Sequence, residues 1–285
     1  MEKIPVRDIR TTDNQVFGRC SIRRIEDILE GKDLLHALHR HNFFFILAVS
    51  QGEGVHEIDF VPFQVSPGSV FFLRPGQVHR LLLKANSSGY LMEFDLEFCG
   101  SKDKSVAQRL RKASSKNFCQ PEDSRFKKLD SLLLNMFDEH STRQDGYLDA
   151  IKANLEIFCI EYSRQSTNPG PATNSNSLYA QERFEELLEL LEDKISQIKN
   201  ASQYAEMLHL SPYQLNAITK ASVGKTVSDL IEEQVILESK RYLLATPNQV
   251  KDIAWDLGYE DVSYFIRFFK KHTGLSPDAF RKNFR

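Results

Sequence analysis

The stretch Ile253–Lys282, IAWDLGYEDVSYFIRFFKKHTGLSPDAFRK, decides how this chain is read, because much of its pattern also occurs earlier. Setting Asp261–Phe280 against Ser211–Leu230, SPYQLNAITKASVGKTVSDL, at a constant offset of 50 aligns Leu215 with Phe265, Ile218 with Phe268, Lys220 with Lys270 and Gly224 with Gly274. The small polar residues Ser211 and Asp261 match as helix starts, and Pro212 suits the first helical position. Each segment follows a short helix with a central alanine, Ala205 in ASQYAEML and Ala254 in VKDIAWDL. The alanines are 49 apart, so the second turn is one residue longer than the first. Self-similarity at a fixed offset marks one structural unit used twice. A small residue that lets a second helix cross closely, followed by a tight turn, is the arrangement of a helix-turn-helix.

In each unit the second helix turns Leu215 and Ile218, or Phe265 and Phe268, to the core. That leaves Tyr213, Asn216, Ala217 and Lys220 on the outer side of one helix, and Ser263, Ile266, Arg267 and Lys270 on the outer side of the other. Those positions can reach a nucleic-acid groove. Between the units, SDLIEEQVILESKRYLLAT reads as one long helix closed by Thr246 and Pro247, with Ile231, Val235, Ser239 and Tyr242 on one stripe. If it holds the two outer helices about one DNA turn apart, roughly 34 Å, both enter successive major grooves. The formal net charge of −2 taken alone argues against a duplex binder. The local charge differs: from Val262 to Arg285, Arg267, Lys270, Lys271, Arg281, Lys282 and Arg285 face the single acid Asp278. Trp255 and Phe269 are assigned to the core.

Outward toward the N-terminus, SRQSTNPGPATNSNS (163–177) is almost empty of apolar residues and reads as an interdomain linker. At 285 residues two domains are expected: residues 1–165, a flexible linker at 166–180, and residues 181–285. Residues from about 40 to 98 carry β signals, with the run FFFILAV, Gly breaks at QGEG, and Pro-Gly turns at Pro67–Gly68 and Pro75–Gly76. In YLMEFDLEF, Tyr90, Met92, Phe94, Leu96 and Phe98 alternate with Glu93, Asp95 and Glu97, which predicts one core face and one wet face. The period then changes. Phe126, Leu129, Leu133, Met136 and His140, and after them Leu148, Ile151, Leu155, Phe158 and Tyr162, predict two amphipathic helices broken around Thr142–Gly146. They form an antiparallel hairpin, packed against the β region or against another subunit.

The segment from about Asn200 to Asn283 resembles the DNA-binding domain of the AraC/XylS family, whose second unit reads I-A-x-x-x-G-F, S-Y-F-x-R-x-F-K-K and G-x-S-P-x-x-F/Y-R. The matching residues are Ile253, Ala254, Gly258, Tyr259, Ser263, Tyr264, Phe265, Arg267, Phe269, Lys270, Lys271, Gly274, Ser276, Pro277, Phe280 and Arg281. The resemblance implies an activator of transcription that partners double-stranded promoter DNA and RNA polymerase. It implies base contacts from Tyr213, Asn216, Ala217, Ser263 and Arg267. A guanidinium at Arg267 can pair bidentately with guanine, or serve a phosphate or an internal ion pair. Ser211, Lys220, Tyr264, Lys270 and Lys271 fall to the DNA backbone, the lysines otherwise being a solvated face. Two departures matter: Ala217 and Val235 stand where relatives carry Arg.

The β region resembles a cupin barrel through His39-x-His41 and GSVFFLRPGQVH, with Gly68, Pro75, Gly76 and His79. The fold class that follows is two-domain α+β: a cupin-like β-barrel with a helical hairpin, then an all-α domain of two helix-turn-helix units joined by a linker helix. Metal-binding cupins use two histidines, a glutamate and a third histidine. Here His39, His41 and His79 could supply three imidazoles suited to zinc, iron, nickel or copper, but Phe45 and Ile46 occupy the glutamate's place, and Glu53 and Glu57 lie too far along; no metal and no other cofactor is the first expectation, with a bound metal or merely structural histidines as the alternatives. The expected ligand is a small organic effector, a sugar among the candidates, between faces carrying His39, His41, Phe43, Phe72, His79 and Leu81.

An enzyme of the cupin dioxygenase or isomerase kind fits poorly, since that glutamate is missing and no Ser-His-Asp, Cys-His or phosphate-loop constellation occurs. The four cysteines, Cys20, Cys99, Cys119 and Cys159, form no Cys-x-x-Cys pair and read as buried free thiols. No apolar run approaches the roughly 20 residues of a spanning helix, and MEKIPVRDIR lacks a signal-peptide core, so the expectation is a cytoplasmic protein without a membrane partner. Homodimerisation through the helices spanning Phe126–Tyr162 is plausible on this reading.

Overall fold

A computed structural model describes residues 6–7, 19–99, 104–166 and 175–284. The chain divides into two compact units between residues 169 and 170.

The first unit is built on two five-stranded sheets. One contains β1 (Val6–Arg7), β3 (Leu34–His41), β8 (Val78–Leu83), β5 (Gly54–Ile58) and β6 (Val61–Val65), in that order. The other contains β10 (Phe118–Cys119), β7 (Ser69–Leu73), β4 (Phe44–Gln51), β9 (Ser88–Phe94) and β2 (Cys20–Arg24). The expected closed barrel is therefore a cupin-like pair of facing sheets with distinct edges. The exposed edge strand β6 carries Pro62, which cannot donate to a further strand.

Alternation along each strand sorts the apolar residues. Phe45, Leu47, Val49, Phe71, Leu73, Leu81, Leu83 and Leu91 pack between the sheets with Phe43. Phe44, Ile46, Ala48, Val70, Phe72, Met92 and Phe94 face the opposite way. They meet α3 (Asp123–Thr142) and α4 (Tyr147–Ser166), an antiparallel hairpin whose Leu129, Leu133, Met136, Ile151, Leu155, Phe158 and Tyr162 are buried. The alternatives left open for this hairpin resolve to packing within the chain. Two shorter helices, α1 (Ile25–Leu29) and α2 (Lys104–Ser114), complete the unit.

The wet face expected for YLMEFDLEF is corrected by this layering. Both faces of β9 are covered, Glu93 is buried against Arg23 at 3.0 Å, and the strand ends at Phe94, leaving Leu96 and Phe98 in a turn. Cys20, Cys119 and Cys159 are buried and Cys99 is half-buried, all free thiols. Burial pushes the Cys99 and Cys119 thiols up to about 12.

The second unit is helical throughout its described residues: α5 (Ser175–Lys194), α6 (Ala201–Met207), α7 (Pro212–Val223), α8 (Val227–Ala245), α9 (Val250–Asp256), α10 (Val262–Thr273) and α11 (Pro277–Phe284). Residues 175–180, read as the end of a flexible linker, are instead the start of α5, whose Leu187 and Leu191 enter the core of this unit. Linker residues 167–174 lie outside the described residues. No helix is long and apolar enough to cross a membrane among the described residues.

Candidate nucleic-acid interface and histidine chamber

The two units of the repeat are built alike. In the first, the Leu210 amide donates to the Ala205 carbonyl at 2.9 Å. In the second, the Tyr259 amide donates to the Ala254 carbonyl at 2.8 Å, and both alanines are fully buried where the helices cross. Helices α7 and α10 start 50 residues apart, each capped by its own side chain: Ser211 accepts from the Gln214 amide, and Asp261 from the Ser263 amide. Both end on a glycine in the left-handed region, Gly224 at φ 73° and Gly274 at φ 78°. The inward positions are Leu215 with Thr219 and Phe265 with Phe269, while Ile218 and Phe268 are only half-buried.

The outer faces are open. Tyr213 is 85% exposed, and Ala217, Lys220, Ser263, Tyr264, Arg267, Lys270 and Lys271 are all exposed. Besides Ser211, whose hydroxyl is taken up in the cap with Gln214, two predicted contacts have other engagements. The Asn216 carboxamide donates to the Pro212 carbonyl at 3.1 Å and accepts from the Val227 amide at 3.0 Å, bracing the start of α8. Arg267 lies 3.9 Å from Asp261, both solvent-exposed, a separation at which an ion pair holds little. Trp255, assigned to the core, is 56% exposed: Ile253, Ala254 and, just past the end of α9, Leu257 turn inward, so the two residues between Ala254 and Leu257 point out. Phe269 is buried as expected.

Between the units, α8 is fixed at its start by a capping box of Thr226 and Asp229. At its end Arg281 of α11 donates to the Leu243 and Asn248 carbonyls at 2.9 and 2.6 Å. Val235 is buried in apolar surroundings, so a charge there would have no place; the buried Arg241 instead pairs with Glu238 one turn before it.

The first unit gathers histidines between its sheets. A one-residue register shift between His36 and His39 in β3 re-aims the strand. His39 then pairs across from His79, and His39, His41 and His79 are all buried. The three ring centres stand 4.7, 4.5 and 4.7 Å apart. Phe43 and Leu81 lie in the same core. Phe72 does not, which corrects its assignment to the interior: with Phe71 and Leu73 inward, period two sends Phe72 to Phe158 and Tyr162.

Sequence reasoning missed His56 on β5, fully buried, with its Nε2 2.8 Å from His79 Nδ1 and its ring 4.6 Å from Phe71. The signal was a lone histidine in a short strand after two glycines, too weak to single out. Burial, and after it the neighbouring histidines, push His56 down to about 3 and hold His79 well below the ordinary range. Both rings are neutral near pH 7.

Along the chain, a two-sheet unit is followed by two matched helix-turn-helix units on one helical body. The AraC-like ligand binding domain family matches residues 28–211, and a helix-turn-helix domain family matches residues 204–283. The chain belongs to the AraC/XylS family of transcription regulators. Its relatives include the HTH-type transcriptional regulator YfiF of Bacillus subtilis, 23% identical over 95% of this chain and 91% of the relative. They also include the HTH-type transcriptional activator RhaS of Mannheimia succiniciproducens, 22% identical over 85% and 88%. Among solved structures, the C-terminal domain of the response regulator YesN from Fusobacterium nucleatum is 30% identical over 35% of this chain and 98% of that one, with a TM-score of 0.33. ToxT of Vibrio cholerae is 14% identical over 93% and 97%, with a TM-score of 0.43.

Proposed function

We propose that this protein is a sequence-specific transcription activator, not an enzyme, that places α7 and α10 in successive major grooves of promoter DNA. The observation that carries the reading is the equal build of two capped helices, each with an open polar face, on one body held by α8 and α11. Tyr213, Ala217, Ser263 and Arg267 read base edges, Arg267 through guanine. Ser211, Lys220, Tyr264, Lys270 and Lys271 hold the phosphates. Asn216 serves chiefly to brace α8.

The two-sheet half takes a small organic effector such as a sugar, whose hydroxyls suit the only histidine-rich polar surface described in that interior, and effector binding shifts the population of DNA-competent states. The relatives named as activators support activation, hence contact with RNA polymerase. Leu134, Ile157 and Ile160, apolar yet exposed on the hairpin, support a homodimer through the face that does not pack on the sheet. Genomic footprinting with the full-length protein tests the reading. The expected result is protected sites holding two contact stretches about one turn, roughly 34 Å, apart. Equal affinity for genomic and random DNA overturns it.

A further inference from the structure

We infer that the crevice between α2 and α4 binds a small organic anion, its charged head held by Arg109, Lys112 and Arg164 and its short apolar end turned toward Leu110 and Leu155.

The crevice lies apart from the histidine chamber. Its floor belongs to the core between the second sheet and the helices, where Leu110, Leu155 and Cys159 pack, whereas the histidines stand with Phe43 between the sheets. One stripe of α4 forms a wall, with Leu155, Cys159 and Ser163 at every fourth position; on α2, Arg109 and Lys112 face it one turn apart. Two compartments meet at Arg109 and Cys159. The outer one has a cavity volume of about 230 Å³ and is lined by Arg109, Lys112 and Arg164 with Cys159, Ile160 and Ser163; no acid is among its described lining residues. The inner one presents mostly apolar surface, from Val106, Leu110 and Leu155 with Cys99, and is narrow enough to admit little more than a methyl-sized group. A charged head and a short apolar end thus have separate places side by side. Ile160 stands at the rim, the one lining residue shared with the face proposed for self-association.

The cations are set for an anion. Arg109 Nη2 donates to Glu156 Oε2 at 3.1 Å and Arg164 Nη1 to Glu161 Oε1 at 2.6 Å, contacts that fix each guanidinium and leave it further N–H donors. The Nε of Arg109 is buried and has no hydrogen-bond partner among the described residues, a donor whose desolvation goes uncompensated until an acceptor arrives. Lys112 is exposed and has no ion pair among the described residues. With Lys128, which shares Glu161, four cations face the two acids Glu156 and Glu161, so the pairing leaves positive charge over for a ligand. The planar guanidinium fork suits a carboxylate or a phosphate monoester alike. The volume, below the roughly 300–1,000 Å³ of drug-sized sites, sets a ligand of few carbons.

The test is a ligand-observed NMR titration of the full-length chain with hexanoate and with hexyl phosphate, beside 1-hexanol and inorganic phosphate, which carry the apolar end or the head alone. Saturable one-to-one binding is expected for at least one of the organic anions, tighter by about 10-fold or more than for hexanol or inorganic phosphate. The tighter of the pair tells a carboxylate ligand from a phosphate one. Arg109→Gln and Lys112→Gln should each weaken it about 10-fold, and Lys112, exposed and unpaired, keeps the test open if Arg109→Gln does not fold. Occupancy should also slow alkylation of Cys99 by N-ethylmaleimide, read by peptide mass spectrometry, which locates the ligand in this crevice and not in the histidine chamber. Absent or unsaturable binding by both anions, unchanged affinity in the folded variants, equal binding of hexanol or inorganic phosphate, or unchanged Cys99 alkylation at saturation overturns the site. DNA and sugar enter none of these readouts, so the result is independent of the operator and of the effector between the sheets.

Discussion

At the scale of the residue, position on a face outweighs chemical type. Arg267 and Lys270 are both exposed cations on α10, yet their expected contributions differ in kind. Arg267→Ala is expected to cost about 1 to 3 kcal/mol at the specific site and to relax base preference there. Lys270→Ala is expected to weaken all sequences alike and to lower the salt slope by about 1. Fluorescence anisotropy on matched and random duplexes, over a range of salt, separates the two; an unchanged base preference in Arg267→Ala sinks its assignment to guanine. Gly258 is constrained differently. It sits at φ 74°, and a Cβ there would fall 2.0 Å from the Ser196 carbonyl oxygen. Gly258→Ala is therefore expected to lose more than about 1 kcal/mol, read as a fall in the unfolding midpoint of the helical unit. The errors of sequence reading also belong here. Phe72 and Trp255 have the right chemistry for the sites assigned to them, but each is one position out of phase with the neighbours that face inward.

At the scale of the element, the repeat owes its stability to matched ends and matched cores. Ser211 closes a capping box with Gln214, so Ser211→Ala is expected to destabilise the unit by about 1 kcal/mol in denaturant titration. Phe265, fully buried where α10 meets the core, is expected to cost about 3 to 5 kcal/mol on truncation to alanine. A loss below that of Ser211→Ala would mean that α10 does not anchor the unit. The hairpin α3–α4 had a legible stripe, since the heptad-like spacing survived intact. Its destination was not legible, because the same stripe fits a sheet or a partner equally well until the outer face of β4, β7 and β9 is known to be apolar. That face was hidden in the run FFFILAV, where both sets of alternating residues are hydrophobic.

At the scale of the whole molecule, the division between residues 169 and 170 gives two separately cored bodies. Two separate cores predict two unfolding transitions in calorimetry, with Gly258→Ala lowering the one that belongs to the helical unit and leaving the other in place. A common shift of both counts against separate cores.

The sequence by itself determined the repeat, the caps, the turn lengths and the basic outer face of the last helices, because each depends on local spacing and local backbone preference. It also marked three of the four chamber histidines by motif. Only the tertiary structure decided which face each strand turns inward, that β9 is covered on both sides, and that His56 from β5 stands behind His79. Those are long-range facts: sheet pairing across tens of residues and a one-residue bulge in β3 set them, and neither leaves a periodic trace along the chain.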